Sequence, residues 1–362
     1  MSRGKWMGLF IVLVLSVLLM SSGVIASFFA VAFSLSHKVF VELTLGIWLV
    51  SLIYMAGEWV ARRYKRFFLK YIGAVALGLN SISLSVVLLG FMGMILGLNL
   101  QVLGVGAGLA IVVLSIASLA NNLRTPEVTR LKLSFDKTGD RHLHVVQISD
   151  IHLDGLKTEK WVDRFVDAIN DLSPDLICFT GDLFDVDPQS LQGHFRSLSK
   201  LSAPLGKLAV SGNHDFYSDY QQFSTAVAEI GFELIDEKRK EIEGIYFVGV
   251  SDKDGKRFSH PKVDIHKLLQ GRDKGIPTVV LDHRPENFEY NASGGIQLQL
   301  SGHTHWGQLP PWDILVRLKY RYAAGLKSFK EAYIYTSKGS GTWGPPMRLF
   351  GRSEIVSLDI QY

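Results

Sequence analysis

The chain has 362 residues, 48% of them hydrophobic and 20% charged, with a formal net charge of +4. That length allows one large domain plus something else, and so mild a charge argues against nucleic-acid binding. A single cysteine, Cys178, excludes an internal disulfide framework.

The first third is apolar and nearly uncharged. Four stretches, Met7 to Leu35, Val39 to Ala61, Tyr71 to Leu98 and Val102 to Ala120, each reach the roughly 20 residues that cross a bilayer. Arg3 and Lys5 precede the first, Arg62, Arg63, Lys65, Arg66 and Lys70 separate the second from the third, and Arg124 and Arg130 follow the fourth. The positive-inside rule then places both chain ends, and everything after Leu123, on the cytoplasmic side of an inner or plasma membrane. A cleavable signal peptide ending near Val24-Ile25-Ala26 is the rival reading, but the apolar run continues to Leu35, too long for a signal core. Gly104-Val105-Gly106-Ala107-Gly108 lies inside a span with no soluble strand before it, so it reads as small-residue helix packing and not as a dinucleotide loop. Asn80, Ser81, Ser83 and Ser85 are expected to face neighbouring helices. No span carries a central charge of the kind an ion pathway needs.

Residues 124–140 read as a polar linker and residues 141–362 as a second domain. His142 to Ile148 is a β-rich strand that delivers Asp150 and His152 at its end. Trp161, Phe165, Ile169 and Leu172 recur at helical spacing between Thr158 and Pro174. Asp175 to Thr180 is a buried strand delivering Asp182, with Cys178 as a packed, inert thiol. A helix near Gln189 to Leu201 leads to the strand Lys207 to Ser211, which ends in Gly212-Asn213-His214-Asp215. A helix around Tyr220 to Ile230 and strands at Phe232 to Ile235 and Ile245 to Val250 follow. Ile276 to Leu281 then delivers His283, and Ile296 to Leu300 delivers His303 and His305. Alternating strands and helices with polar clusters at the strand ends predict an α/β sheet with its site at the carboxyl edge. Farther on, Val316, Leu318, Tyr320 and Tyr322 alternate with Arg317, Lys319 and Arg321. As a strand this gives one apolar and one cationic face, suited to an anionic lipid head and its chains or to an ordinary half-buried position.

Carboxylate, carboxamide and imidazole without thiolate is a ligand set for hard divalent metals. Two cations about 3.5–4 Å apart need a shared ligand, and a lone carboxylate such as Asp182 can bridge them. Of eleven histidines, His142 and His144 read as edge residues, and His37, His194, His260 and His266 as solvated. Asp154, Asp185 and Asp252 lie near the clusters and fit either loop solvation or support of the site.

The ordered series Asp150-x-His152, Gly181-Asp182, Gly212-Asn213-His214-Asp215, His283-x-Pro285 and Gly302-His303-Thr304-His305 resembles the calcineurin-like metallophosphoesterases from Leu143 to the C-terminus. The preceding spans look closest to that family's membrane-anchored branch. The resemblance implies an α/β fold, a four-layer αββα sandwich, here preceded by an all-α transmembrane domain over residues 1–123. It implies one metal held by Asp150, His152, Asp182 and His305, and a second by Asp182, Asn213, His283 and His303. His214 would stabilise phosphoryl oxygens or protonate the leaving group, with Asp215 orienting it. Family members use manganese, iron or zinc, with manganese the first expectation. The activity implied is phosphodiester or pyrophosphate hydrolysis by a metal-bridging hydroxide, and some relatives of the branch act on UDP-2,3-diacylglucosamine. The expected partners are membrane lipids and a phosphorylated, lipid-linked substrate, with soluble nucleotides, phosphoproteins or a catalytically inactive membrane sensor or scaffold as alternatives. Trp306 departs from the glycine common after the second histidine of the last block and bears on substrate class. Gly339-Ser340-Gly341 with Arg348 resembles the family's C-terminal glycine loop, with Arg348 reaching a phosphate or closing a salt bridge.

Overall fold

A computed structural model describes residues 3–64, 67–135, 139–260 and 262–362. Lys65 and Arg66, counted among the basic flanks, lie outside the described residues. The chain forms two compact units: Met1–Asn121 with Leu309–Trp312 and Gly344–Phe350, and Asn122–Gln308 with Asp313–Trp343 and Gly351–Tyr362. The expected domain limits are corrected in that two short segments from the second half of the chain belong to the first unit.

The first unit is four helices, α1 (Arg3–Ala32), α2 (His37–Tyr64), α3 (Phe68–Ile95) and α4 (Leu100–Leu123). All four are long and apolar enough to cross a membrane. Phe28 of α1 is fully buried against Phe91 of α3, edge to face at 5.3 Å. Polar groups inside apolar helices find side-chain or backbone partners within the protein, because hydrocarbon offers none. Asn80 accepts from Ser21 at 2.8 Å and donates to Ser51 at 3.5 Å, and Ser81 donates to the Pro310 carbonyl at 2.5 Å. Lys70 is buried in an ion pair with Glu58 at 3.1 Å. Arg348 lies here too, its backbone N–H on the Ser118 carbonyl and its own carbonyl accepting from Asn121.

The second unit runs β1 (Glu127–Ser134), β2 (His142–Ile148), α5 (Glu159–Asn170), β3 (Leu176–Phe179), α6 (Gln192–Leu198), β4 (Lys207–Ala209), α7 (Asn213–Ser218), α8 (Tyr220–Glu229) and β5 (Glu233–Leu234). It continues with β6 (Arg239–Ile242), β7 (Ile245–Val250), α9 (Ile265–Leu268), β8 (Thr278–Asp282), α10 (Phe288–Ala292), β9 (Leu298–Ser301), α11 (Trp312–Lys319), β10 (Gly325–Phe329), β11 (Ala332–Thr336) and β12 (Glu354–Gln361). One sheet has the order β1-β12-β2-β3-β4-β5 and the other β10-β11-β9-β8-β7-β6. β2 to β5 are mutually parallel, as are β7, β8, β9 and β11.

Side-chain alternation builds four layers from these two sheets. Leu143 and Val145 of β2 join Leu176, Cys178, Leu208, Phe247, Leu281 and Leu300 in a core shared by both sheets. Val146 and Ile148 of the same strand point the other way, onto Trp161, Phe165 and Ile169 of α5 and Phe223 and Val227 of α8. On the outer face of the second sheet, Val248, Val280 and Ile334 pack on Ile265 of α9 and Phe288 of α10. Strands buried on both faces are why these segments read as continuous apolar runs. The arrangement is helix, sheet, sheet, helix. α5 begins at Thr158, whose side chain accepts from the Trp161 N–H, so the fourfold spacing read from the sequence turns its apolar stripe onto the first sheet.

Two expectations are corrected. The linker expected over 124–140 contains β1, which pairs in parallel with β12 from Glu127↔Glu354 to Ser134↔Gln361. The alternation of Leu131 and Leu133 with Arg130, Lys132 and Ser134 fits an edge strand, and its partner is β12 near the C-terminus. The strand expected from Val316 to Tyr322 is instead α11 followed by a turn: Leu, Arg and Lys favour helix, and Asp313 suits a first turn.

Candidate metal centre

Every cluster read from the sequence emerges at a strand's carboxyl end. Asp150 and His152 follow β2, Asp182 follows β3, Asn213 opens α7 after β4, His283 follows β8, and His303 and His305 follow β9. Parallel pairing aligns these ends within each sheet, β2, β3 and β4 in one and β8 and β9 in the other, and side chains from both sheets meet at that edge. Asp150, His152 and His305 offer donor atoms within 4.8 Å of one another, and so do Asp182, His283 and His303. His152 Nε2 lies 3.0 Å from His305 Nε2, and His283 Nε2 lies 3.2 Å from Asn213 Oδ1. Between them, Asp182 Oδ2 is 3.6 Å from His152 Nε2 and 3.3 Å from His283 Nε2. A single carboxylate oxygen therefore lies within 3.6 Å of an imidazole of each group.

The backbone is strained to do this. Asp150 (φ 53°), His152 (46°), Asp182 (62°), His303 (71°) and His305 (48°) all occupy the left-handed region, which costs about 1–3 kcal/mol for each such residue. The motif glycines are there for closeness. A side chain at Gly302 would begin 2.1 Å from Asp150 Oδ2, and one at Gly212 would begin 2.2 Å from Asp182 Oδ1.

The ring nitrogens facing away from the donors are held as well, which fixes the tautomers. His283 Nδ1 donates to the Thr180 carbonyl at 2.7 Å, and His152 Nδ1 donates to Asp185 Oδ2 at 3.0 Å. His303 Nε2 meets the Tyr320 hydroxyl at 3.1 Å, and the His303 N–H donates to Asp150. Gly339-Ser340-Gly341 lies across the end of β2, the Ser340 and Gly341 N–H groups donating to the Ser149 and Asp150 carbonyls at 2.7 and 2.9 Å.

The donor set suits cations. Burial opposes ionisation of Asp182, yet His283, His214 and His152 hold its carboxyl well below the usual range. Burial likewise opposes the His283 imidazolium, but Asp182 and then Asp150 push it up to about 10. The carboxylates thus draw protons onto imidazoles that a pair of divalent cations would displace. Thiolate is absent, and buried carboxylates and imidazoles at this density fit hard or borderline cations.

Two roles differ from expectation. Asp215 was expected to orient His214; it instead accepts the backbone N–H groups of Asp182, Leu183 and Gly212 at 2.9, 3.0 and 2.7 Å, fixing the loop that carries Asp182. The residue beside His214 is Asp185, with Oδ1 2.8 Å from His214 Nδ1 and Oδ2 on His152. Burial disfavours both ions of this pair, but each supports the other. Asp185 is held well below the usual carboxylate range by His152 and His214, and Asp185 and Asp182 push His214 up to about 9. With Oδ2 hydrogen-bonded to His152 and Oδ1 in ion-pair contact with His214, Asp185 reads as an orienting group and not as part of a third metal site.

Of the other acids weighed, Asp252 is buried on Arg284 at 2.6 Å, whereas Asp154 caps the Leu156 N–H. His194 meets the Lys157 carbonyl and His142 pairs with Asp359, away from the centre. Trp306 is only part-exposed, with the cations of Lys338 and Arg317 5.5 and 5.8 Å from its ring centre. Sequence reasoning missed Tyr320, read only as one apolar position among four, and the exposed rings of Tyr217 and Trp343, centred 5.3 and 5.5 Å from that of His214.

Residues 143–307 match the calcineurin-like phosphoesterase family. A metallophosphoesterase of Bacillus subtilis, YkuE, is 31% identical over 257 residues, covering 66% of this chain and 86% of that protein. The chain belongs to the calcineurin-like metallophosphoesterases. A metallophosphoesterase of Helicobacter pylori is 30% identical over 238 residues, 65% of this chain and 64% of its own length. A transmembrane protein with a metallophosphoesterase domain from Danio rerio is 30% identical over 261 residues, 68% of this chain and 60% of its own. This metallophosphoesterase thus spans less than two thirds of the length of those two relatives. With its four bilayer-length helices, it is a membrane protein.

Proposed function

We propose that this metallophosphoesterase is a membrane-anchored hydrolase of phosphodiesters or phosphoanhydrides that works with two divalent cations, manganese first among them. The observation carrying this is Asp182 Oδ2, set between His152 and His283 as a ligand common to two donor groups. Asp150, His152 and His305 would complete one position, and Asn213, His283 and His303 the other. When bound, the cations supply a water activated for attack and offset charge on the phosphoryl oxygens.

The chain's own residues do the rest. His214, protonated beside Asp185, donates a hydrogen bond to a phosphoryl oxygen or a proton to the departing oxygen. Asp185 holds both His214 and His152, so the proton donor and a ligand keep a fixed relation. Asp215 holds the Asp182 loop. The favoured substrate is lipid-linked, as in a nucleotide-diacyl sugar, met by an active site on the cytoplasmic side; the membrane domain supports this reading. Tyr217 and Trp343 beside His214 support a second one, a soluble nucleotide whose base stacks on exposed rings.

The test is turnover of bis(p-nitrophenyl) phosphate with added manganese by the full chain, against Asn213→Ala and His214→Ala. Loss of nearly all activity in both variants is expected. Activity retained in either removes that residue from the mechanism. Equal or better turnover of soluble nucleotides than of micellar lipid substrates by the same preparation overturns the lipid preference.

A further inference from the structure

A helix lying on a water-soluble domain turns its apolar stripe inward. α11 does the opposite. Its inward positions are Asp313, buried, and Val316, half-buried, followed by buried Tyr320. Its outward positions are Ile314, Leu315 and Leu318, exposed to 54%, 52% and 79%. Asp313 takes Arg317 as its partner, so the buried acid is balanced from within the helix. Three large aliphatics on a little over two turns facing outward form an apolar face that is unpartnered among the described residues.

The same surface continues as a basic, aromatic one. Lys319, Arg321, Lys327 and Lys330 are all exposed, with Leu326 and Tyr333 among them. Arg321 pairs with Glu289, and Glu331 adds one exposed negative charge, so the excess positive charge comes from the three lysines. Two residues beyond α11, an open depression of about 500 Å³ is lined by Arg321, Tyr322, Leu326, Lys327, Ser328 and Tyr333. Aliphatics outward with lysines beside them are the composition of a helix that lies in a bilayer interface, the lysine stems reaching over hydrocarbon and their ammonium groups meeting lipid phosphates.

We propose that α11 and the adjoining β10–β11 hairpin dock on an anionic lipid surface, Ile314, Leu315 and Leu318 entering the interface and Lys319, Lys327 and Lys330 meeting phosphate headgroups. Lipid is the occupant because the chain brings it along: four helices of bilayer length precede this unit, and only Arg124, Thr125 and Pro126 separate α4 from β1. The lysines match the negative charge of anionic leaflets. Docking has a direct line to the candidate metal centre, since Tyr320, the residue immediately after α11, carries the hydroxyl on His303. The inference does not depend on the hydrolytic reading.

The test uses the full chain in nanodiscs, in a Cys178→Ala background, with Leu318→Cys carrying an environment-sensitive fluorophore and Gln222→Cys on α8 as an exposed reference. Discs contain phosphatidylcholine with or without phosphatidylglycerol, plus spin-labelled lipid as a quencher. The expected result is several-fold stronger lipid quenching at 318 than at 222. Adding phosphatidylglycerol should increase it, and the triple change Lys319→Glu, Lys327→Glu, Lys330→Glu should reverse that increase. Ile314→Cys should behave like Leu318→Cys. Quenching at 318 no greater than at 222 overturns the proposal. A blue-shifted but unquenched probe at 318 overturns it too, because a second protein surface would then cover the helix. Quenching indifferent to phosphatidylglycerol and to the three lysines overturns the choice of an anionic surface.

Discussion

Replacing Asp185 with asparagine keeps a side chain of the same shape between His214 and His152 but removes its charge. The carboxylate lies 2.8 Å from His214 Nδ1 and 3.0 Å from His152 Nδ1, so both contacts join a buried carboxylate to an imidazole. Asp185 is the first of the groups that raise His214, ahead of Asp182. An opposite charge within about 4–6 Å shifts a pKa by roughly 1–3 units, so its loss should lower that of His214 by this order. Bound cations lower His214 in both proteins and leave the sign of the difference unchanged. If imidazolium is the active form, kcat falls as pH rises through the His214 pKa, and the falling limb in Asp185→Asn should begin at a pH lower by about 1–3 units. Near neutral pH the variant should also lose roughly 10–100-fold in activity, the usual effect of removing a carboxylate that orients a ligand histidine. The assay is kcat against pH at saturating manganese, with Asp163→Asn as the control, an acid on Ser197 and Lys200 away from the centre. Superimposable basic limbs in wild type and Asp185→Asn would refute the assignment of a protonated His214.

His214→Ala should lose about 10²–10⁴-fold in kcat, the range for positioned proton donors, and lose more with an alkyl than with a p-nitrophenyl leaving group. Equal losses on both esters would leave His214 as a phosphate ligand and not an acid. Tyr320→Phe removes the hydroxyl on His303 and should weaken metal binding by about 10–100-fold, with kcat recovered at saturating metal; an unchanged metal titration of activity counts against that link. Manganese at a hundredfold excess over its Kd should stabilise the wild type by about 2.7 kcal/mol per site, read as a higher midpoint of thermal unfolding that EDTA reverses. Asp182→Asn should show a smaller rise and a lower metal content per chain, and an identical rise would deny Asp182 its shared position.

What was legible in the sequence follows from how many independent signals each feature had. The metal positions had five apolar runs, each ending in the same donor chemistry, and parallel neighbours align those ends within each sheet, β2 to β4 in one and β8 with β9 in the other. Asp185 had one signal, an acid three residues after Asp182, and nothing in the sequence separates it from a solvated loop acid. Its place is set by the turn after β3, where Asp182 is left-handed. Asp215 was misread for a related reason: adjacency to His214 in sequence suggests contact, whereas the first turn of α7 points Asp215 back at the N–H groups before it. β1 was hidden because its partner is the other end of the unit. α11 was read at the wrong period, since Leu-Val-Arg-Leu-Lys-Tyr fits both alternation and a helix that faces outward. The inward positions Asp313, Val316 and Tyr320, spaced three and then four apart, are those of a helix.

Five ligand candidates in the left-handed region carry strain that a fold does not keep without an opposing gain. Part of that gain is built in. Three backbone N–H groups converge on Asp215, two glycines let Asp150 and Asp182 approach the backbone, and ring nitrogens are held by Thr180, Asp185 and Tyr320. These contacts fix the donors but do not cancel their charge, because Asp182 and Asp150 still push His283 up to about 10. The missing balance is positive charge among the donors, which a cation held by these residues would supply without the directional limits of a proton. The strained backbone and the displaced titrations therefore have a common physical origin: the polypeptide holds buried donors close together before any cation arrives, so that binding energy would not be spent on gathering them.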